Sequence, residues 1–530
     1  MGALTLKSFP FELRGWDIEK FESIDPTDGF GSSTRIYINK QQIIQIEPEY
    51  NTNNSATWLS DKSRQFFDGL LHSQQNKTNL TSNYWTNFLQ FLFKTLYLFD
   101  HCSNKTKKNY FFTIVFENIS IEILSLLLII EQHYSFIKLK RLESFSINND
   151  LESLYQLNVA TNQKKLNSSD LCFLIANNAR YEGYHLNLKL RQRFLKGNFK
   201  CFSIGSLIDL TFPSNFIGTN LKILKNLIEG NNLICQDLKS AKNPIIISTI
   251  NNNSNKINLL SIIKILNYSK IFNKAWKGID FLNSSIYEAG IQNLSNIESL
   301  NKKDLANFSS IYFINIPSNN ILNYKKLFET KLLNYCFNNN LNLPKIDKLV
   351  IEQNTKKTNI NNYLSINFIK YIYLPTKNFY ETNDTYINTE GLIKKTSKLF
   401  SKKNTKNNWK ILRNFLKQSK KHLTFINSKE NSLLFFEFAQ YVNFKNFIAF
   451  NFHVTKKLNN TAFSILTSNK PFFIVENSTL FKLKNTKLKN TKLKYWLNDF
   501  FIGGKDNYSQ DSLTMAHCSR ITRAQTTNFL

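Results

Sequence analysis

Apolar positions follow two rhythms along this chain. Near the start, Thr34 to Ile38 and Gln42 to Ile46 alternate apolar with polar residues on either side of Asn39-Lys40. That two-residue period predicts a half-buried hairpin. The stretch "WLSDKSRQFFDGL", from Trp58, places Ser60 as an N-cap before a short helix that Gly69 interrupts. From about residue 83 the period lengthens, and Trp85, Phe88, Leu89, Leu92 and Phe93 recur at helical spacing.

Farther on, continuous apolar runs take over. "YFFTIVF" (110–116), "LCFLIAN" (171–177), "FKCFSIG" (199–205), "NPIIISTI" (243–250), "SIYFINI" (310–316) and "FIKYIYL" (368–374) read as buried strands. Helical stretches fall between several of them, at Tyr184 to Leu195 and Leu221 to Ile228. Buried strands alternating with helices predict parallel sheets covered on both faces, an α/β class with more than one sheet. The run Ile123 to Ile130, bounded by Glu122 and Glu131, reads as a buried helix or strand. No apolar run approaches the roughly 20 residues of a spanning helix, so direct membrane insertion is not expected.

At 530 residues the chain is long enough for several domains. The expected division is a small β-rich N-terminal domain at 1–70, a discontinuous α/β domain at 71–150 and 310–460, a Rossmann-like α/β domain at 151–309, and a basic tail at 461–530. The tail holds "KLKNTKLKNTKLK" (482–494), a five-residue repeat whose simplest origin is sequence slippage. Between Lys394 and Lys421 stand eleven Lys or Arg and no acid, a run expected to be a solvated strand or loop.

The net charge of +30 raises the possibility of nucleic acid as partner. Composition supplies a blander cause. Lys, Asn, Ile, Phe and Tyr are inflated, while glycine numbers only 15 and proline 9. This is the bias of an A/T-rich genome such as an organelle's, and no nucleic-acid partner is expected. Neither a myristoylation signal nor an Arg-rich presequence is read at the start, since Leu6 stands where that motif wants Ser or Thr.

Candidate chemistry is sparse. The six cysteines (Cys102, Cys172, Cys201, Cys235, Cys336 and Cys518) are never closer than 29 residues, so no tight turn carries two metal ligands. The histidines His72, His101, His133, His185, His422, His453 and His517 include no pair at i, i+4. "DGFGSST" (28–34) gives Gly-x-Gly-x-x-Thr, but a turn precedes it and a strand is predicted after it, the wrong setting for a dinucleotide fingerprint. Gly503-Gly504-Lys505 lacks the rest of a phosphate loop, and no nucleophile elbow exists.

The order of motifs nevertheless resembles one family. "GALTLKSFPFELRGWDIEKFESIDPTDGFGSSTRI" (2–36) is similar to the start of the large C-terminal region of the largest iron–sulfur subunit of respiratory complex I, NADH:ubiquinone oxidoreductase. "WLSDKSRQFFDGL", "DLCFLIANNARYEGYHLNLKLRQ" (170–192), "IGSLIDLTF" (204–212), "LPTKNFYETNDTYINTEG" (374–391), "WKILRNFL" (409–416) and "DSLTMAHCSR" (511–520) follow in the family's order. In that family Gly-Ala-Leu-Thr directly follows Cys-Pro-Val, whose cysteine is a cluster ligand, and Met1 stands where the valine would be.

The resemblance implies a molybdopterin oxidoreductase-like multidomain fold and a split form lacking the iron–sulfur N-terminal region. It implies a structural subunit of the peripheral, matrix-side arm of mitochondrial complex I, encoded in the mitochondrial genome. Expected partners are the iron–sulfur N-terminal fragment of the same subunit and other peripheral-arm subunits, including the flavin subunit. No cofactor is expected in this chain, the clusters being assigned to the partner fragment, and no catalytic, cofactor-binding or metal-ligating residue is expected. The family's Gly-Thr-Asn-Pro-Arg loop is replaced by Ala176-Asn177-Asn178-Ala179; Leu392 and Lys394 replace the usual Arg and Gln. Residues 2–16 are expected to form a docking edge in which Phe9, Phe11 and Trp16 either anchor a partner or pack onto the first hairpin. The alternatives are a molybdopterin-dependent oxidoreductase acting alone, or a basic nucleic-acid-binding protein using 394–421.

Overall fold

A computed structural model of the chain describes residues 13–49, 58–69, 111–134, 137–141, 166–175, 177, 179–205, 209–218, 223, 226–227, 229–232, 234–249, 272–273, 276–283, 285–294, 297, 300, 308–316, 348–353, 370–400, 405–418, 512–518 and 521. The helix expected at Trp85 to Phe93, the repeat at 482–494, Phe9, Phe11, Cys102 and Cys336 lie outside these residues.

Strands β1 (Glu19–Ile24), β2 (Ser33–Asn39) and β3 (Gln42–Pro48) form an antiparallel sheet in the order β1-β2-β3. The alternation read from the sequence puts Thr34, Ile36 and Ile38 inside. β1 is not legible in the sequence, because Glu19, Lys20 and Glu22 mask its pattern. Helix α1 (Asp61–Gln65) follows, and Ser60 Oγ accepts from the Ser63 N–H at 3.1 Å, the expected N-cap. Phe66 and Met515 are buried in one core with Ile36, Ile46 and Tyr380, and the Thr514 N–H donates to Asp68 Oδ2 at 2.9 Å. The N-terminal sheet is thus completed by segments from far along the chain.

Strand β4 (Phe111–Phe116), helix α2 (Ile121–His133) and β5 (Ile137–Arg141) come next. Then β6 (Leu171–Ile175), α3 (Ala179–Glu182), α4 (Tyr184–Leu195), β7 (Lys200–Ile204), β8 (Asn215–Gly218), α5 (Ile234–Ser240) and β9 (Pro244–Thr249) follow. A small hairpin of β10 (Phe272–Asn273) and β11 (Trp276–Lys277) leads to β12 (Ile279–Leu282) and α6 (Ile286–Leu294). The chain goes on through β13 (Phe308–Ile314), β14 (Lys348–Gln353), β15 (Lys370–Pro375), β16 (Thr385–Ile387), β17 (Ile393–Lys395) and α7 (Asn408–Gln418).

Two five-stranded parallel sheets result among the described residues, ordered β12-β9-β6-β7-β8 and β15-β14-β13-β4-β5. The first has the doubly wound dinucleotide-fold order and the second the flavodoxin-like order. The α/β class with parallel sheets and a small β-rich N-terminal region is therefore observed. β6 is buried at every position, from Leu171 to Ile175, as a strand covered on both faces must be. The ambiguous run at Ile123 is a helix, buried around its circumference because it lies between β5, β16, α6 and α7. Part of the basic run is also helical: Trp409, Ile411 and Leu412 of α7 are buried, so 408–418 is neither strand nor loop. Among the described residues no helix is long and apolar enough to cross a membrane.

Candidate functional site

The Gly-x-Gly-x-x-Thr stretch lies in the turn between β1 and β2, leading into a strand. Its glycines serve packing. A Cβ on Gly29 would overlap the Asn283 carbonyl oxygen and stand 2.6 Å from Thr389 Oγ1, and Gly31 has φ +56° against Ile286. Gly29 O accepts from the Thr389 N–H at 2.8 Å and from Thr389 Oγ1 at 2.5 Å, while Phe30 O accepts from Asn388 Nδ2 at 3.0 Å. The turn is held from within by two buried carboxylates. Asp25 Oδ1 accepts from the Thr27 N–H and hydroxyl, Asp25 Oδ2 from Ser63 Oγ, and Asp28 from the Gly31 N–H and Ser32 Oγ. Burial, then the charge of Asp25, pushes the Asp28 carboxyl up to about 7. Three distant parts of the chain meet here, at a structural joint.

A polar cleft opens elsewhere, at the C-terminal ends of β4 and β13. These two strands are neighbours whose connections run in opposite directions, which makes their ends the switch point of the sheet. Asn118 and Asn315 leave the strands in the left-handed region, φ +47° and +52°, which asparagine tolerates. Asn315 Nδ2 donates to Asn118 O at 3.2 Å, and Asn408 Nδ2 donates to Asn315 Oδ1 at 2.9 Å. The cavity measures about 40 Å³, room for a few waters or one small polar molecule. Lys377, Asp384 and Trp409 line it as well. Burial and the charges of Lys398 and Lys410 lower the Lys377 pKa.

Behind the cleft, Glu122 in the first turn of α2 is wholly buried. Its carboxylate accepts from the Thr385 N–H at 3.0 and 3.2 Å and from Thr385 Oγ1 at 2.7 Å. Burial, then the Asp384 charge, raises its pKa from 4.5 to about 8. A carboxyl whose pKa is higher folded than unfolded stabilises the fold fully below its unfolded value, and that stability drains away as pH rises through the folded one. Denaturation midpoints should therefore fall between about pH 5 and 8, and Glu122→Gln should flatten that slope. An unchanged slope in the variant would place the titration elsewhere.

Trp16 is 81% exposed, so it does not pack onto the hairpin. Trp58, at 65%, is a second exposed aromatic beside the same sheet, and hydrophobic patterning alone does not mark it. His185 is half-buried against Phe30 (ring centroids 6.0 Å), and desolvation with Lys189 and Lys394 nearby lowers its pKa to about 4. Cys172 and Cys201 are buried opposite one another on β6 and β7.

Residues 115–418 match the family Molybdopterin oxidoreductase, and residues 18–68 match the NADH-ubiquinone oxidoreductase NDSU1/NuoG-like, 4Fe-4S domain. A NADH-ubiquinone oxidoreductase 75 kDa subunit of Reclinomonas americana is 25% identical over 547 residues, covering 98% of this chain and 71% of that protein. One of the same name from Acanthamoeba castellanii is 25% identical over 432 residues, covering 78% of this chain and 57% of that protein. The mitochondrial NADH dehydrogenase [ubiquinone] iron-sulfur protein 1 of Solanum tuberosum is 26% identical over 267 residues, covering 47% of this chain and 33% of that protein.

The match at 18–68 corrects one expectation. Cysteine spacing, together with the family resemblance at residues 2–36, leads to a chain without a cofactor, its clusters assigned to a partner fragment; the 4Fe-4S domain match points instead to an iron–sulfur cluster in this chain. Spacing detects ligands rather than domains, which is why it misses this one. The matched segment itself holds neither cysteine nor histidine, so it supplies no thiolate or imidazole. Cys518 packs against its core, but burial and the nearby Asp61 raise that thiol's pKa. No group of three or more His, Cys, Asp or Glu is placed to hold a metal among the described residues.

A pterin cofactor also fits poorly. At the end of β6 the turn lacks glycine, and Arg180 pairs with Asp209 at 2.7 Å. Leu392 is 40% exposed and offers no charge. These residues do not make the close, cationic backbone cradle that a diphosphate needs.

Proposed function

The chain belongs to the molybdopterin oxidoreductase family, and from that membership and the names of its relatives we propose that it is a subunit of the peripheral, matrix-side arm of mitochondrial complex I. The observation that carries this reading is the alignment of the Reclinomonas protein across 98% of the chain. On this reading the chain's work is structural. Its parallel sheets form a scaffold, and the sheet at 19–48 presents the face on which cluster-bearing and flavin-bearing neighbours assemble. The 4Fe-4S cluster to which 18–68 points takes its thiolates from outside that segment. Electron transfer from NADH to ubiquinone belongs to the assembly, and no residue of the polar cleft or the glycine turn takes a catalytic part.

The poor fit of a pterin at the end of β6 supports a structural role over an independent molybdenum enzyme. The test is native-gel separation of solubilised mitochondrial membranes followed by mass spectrometry of each band. The chain should comigrate with NADH-oxidising activity; migration apart from it would remove the proposal.

A further inference from the structure

We propose that the cleft at the ends of β4 and β13 binds a singly protonated phosphate group, as free hydrogen phosphate or as a small phosphomonoester. The proposal does not depend on the assembly described above.

Two helices of 13 and 11 residues, α2 and α7, begin at this cleft, and their first N–H groups have no partner within the helix. Ser120 precedes α2 without capping it; it is 1% exposed, and its Oγ has no hydrogen-bond partner. Trp409, in the first turn of α7, is 3% exposed, and its Nε1–H is likewise unbonded. Buried donors left unpaired are costly, and a native fold retains them where something else accepts. Lys377 adds a half-buried cation with Lys398 and Lys410 on one side of its charge balance and Glu381 on the other.

The cleft also carries acceptors, which decide the kind of anion. Asn407 Oδ1 and Asn408 Oδ1 are buried and unbonded, and the Asp384 carboxylate lies on the same wall. A fully ionised oxyanion such as sulfate would meet these oxygens with lone pairs only. Hydrogen phosphate carries an O–H to give them while its other oxygens accept from Ser120, Trp409 and Lys377. The cavity of about 40 Å³ is large enough for one such group.

Thermal unfolding and phosphorus NMR of the purified full-length chain can test this, with sodium phosphate, sodium sulfate and phosphoethanolamine as probes at matched ionic strength. Phosphate should raise the unfolding temperature saturably and broaden its own resonance, with sulfate about tenfold weaker or more. Ser120→Ala and Lys377→Gln should each weaken phosphate binding by about tenfold. Should Ser120→Ala fail to fold, the variant Lys377→Gln, at a half-buried position, still decides. Tighter binding of phosphoethanolamine would identify a monoester as the source, and preference for free phosphate would identify the inorganic ion. Equal response to sulfate and phosphate, no phosphorus broadening, or variants that bind like wild type would overturn the proposal.

Discussion

Gly29→Ala is expected to cost about 3 kcal/mol or more and to loosen the joint that ties the N-terminal sheet to the end of β12 and to the β16–β17 turn. The added carbon would overlap the Asn283 carbonyl oxygen, and Asn283 is wholly buried. The second obstacle, Thr389 Oγ1 at 2.6 Å, is the same atom that donates to Gly29 O. Neither side can give way. Moving Asn283 disturbs the end of β12, and turning Thr389 away abandons a bond to a buried carbonyl. Limited proteolysis should show faster cleavage in both 25–32 and 388–392, although they are about 360 residues apart. Faster cleavage in only one of the two would show that they are not a single joint.

Phe173→Ala should weaken the β12-β9-β6-β7-β8 sheet by about 3–5 kcal/mol. Phe173 is 0% exposed at the middle of β6, in register with Phe202 on β7 and Ile246 on β9. Removing its ring leaves a cavity that two flanking strands, fixed by their hydrogen-bond ladders, cannot close. Hydrogen exchange should read this as lost protection at β6, β7 and β9, with the three-stranded sheet at 19–48 unaffected. Protection that falls evenly over all three sheets would mean that they unfold as one unit.

Much of the architecture is legible in the sequence because of how parallel strands meet solvent. Strands covered on both faces need apolar residues at nearly every position, so "LCFLI" and "PIIIST" stand out in any reading. α4 is equally plain, since Leu186 and Leu190 repeat on one face with Lys189 and Arg191 on the other. β1 escapes notice because charged residues point outward along an edge strand. The cleft is invisible for a different reason. Asn118, Asn315, Lys377 and Asn408 are ordinary residues in an asparagine- and lysine-rich chain, and only the strand order brings them together. The glycine turn misleads in the opposite sense, with a familiar spacing whose meaning lies in what packs against it.

The bond from Thr389 to Gly29 sets a timetable for biosynthesis. At about 5–20 residues per second, roughly 20–70 s separate the emergence of Gly29 from the ribosome from that of its partner. Until then the turn's carbonyls and the apolar face of the first sheet lack their cover, and Met515 arrives later still. The nascent chain therefore spends that whole interval with this sheet unfinished, a natural client for a holding chaperone at the tunnel exit.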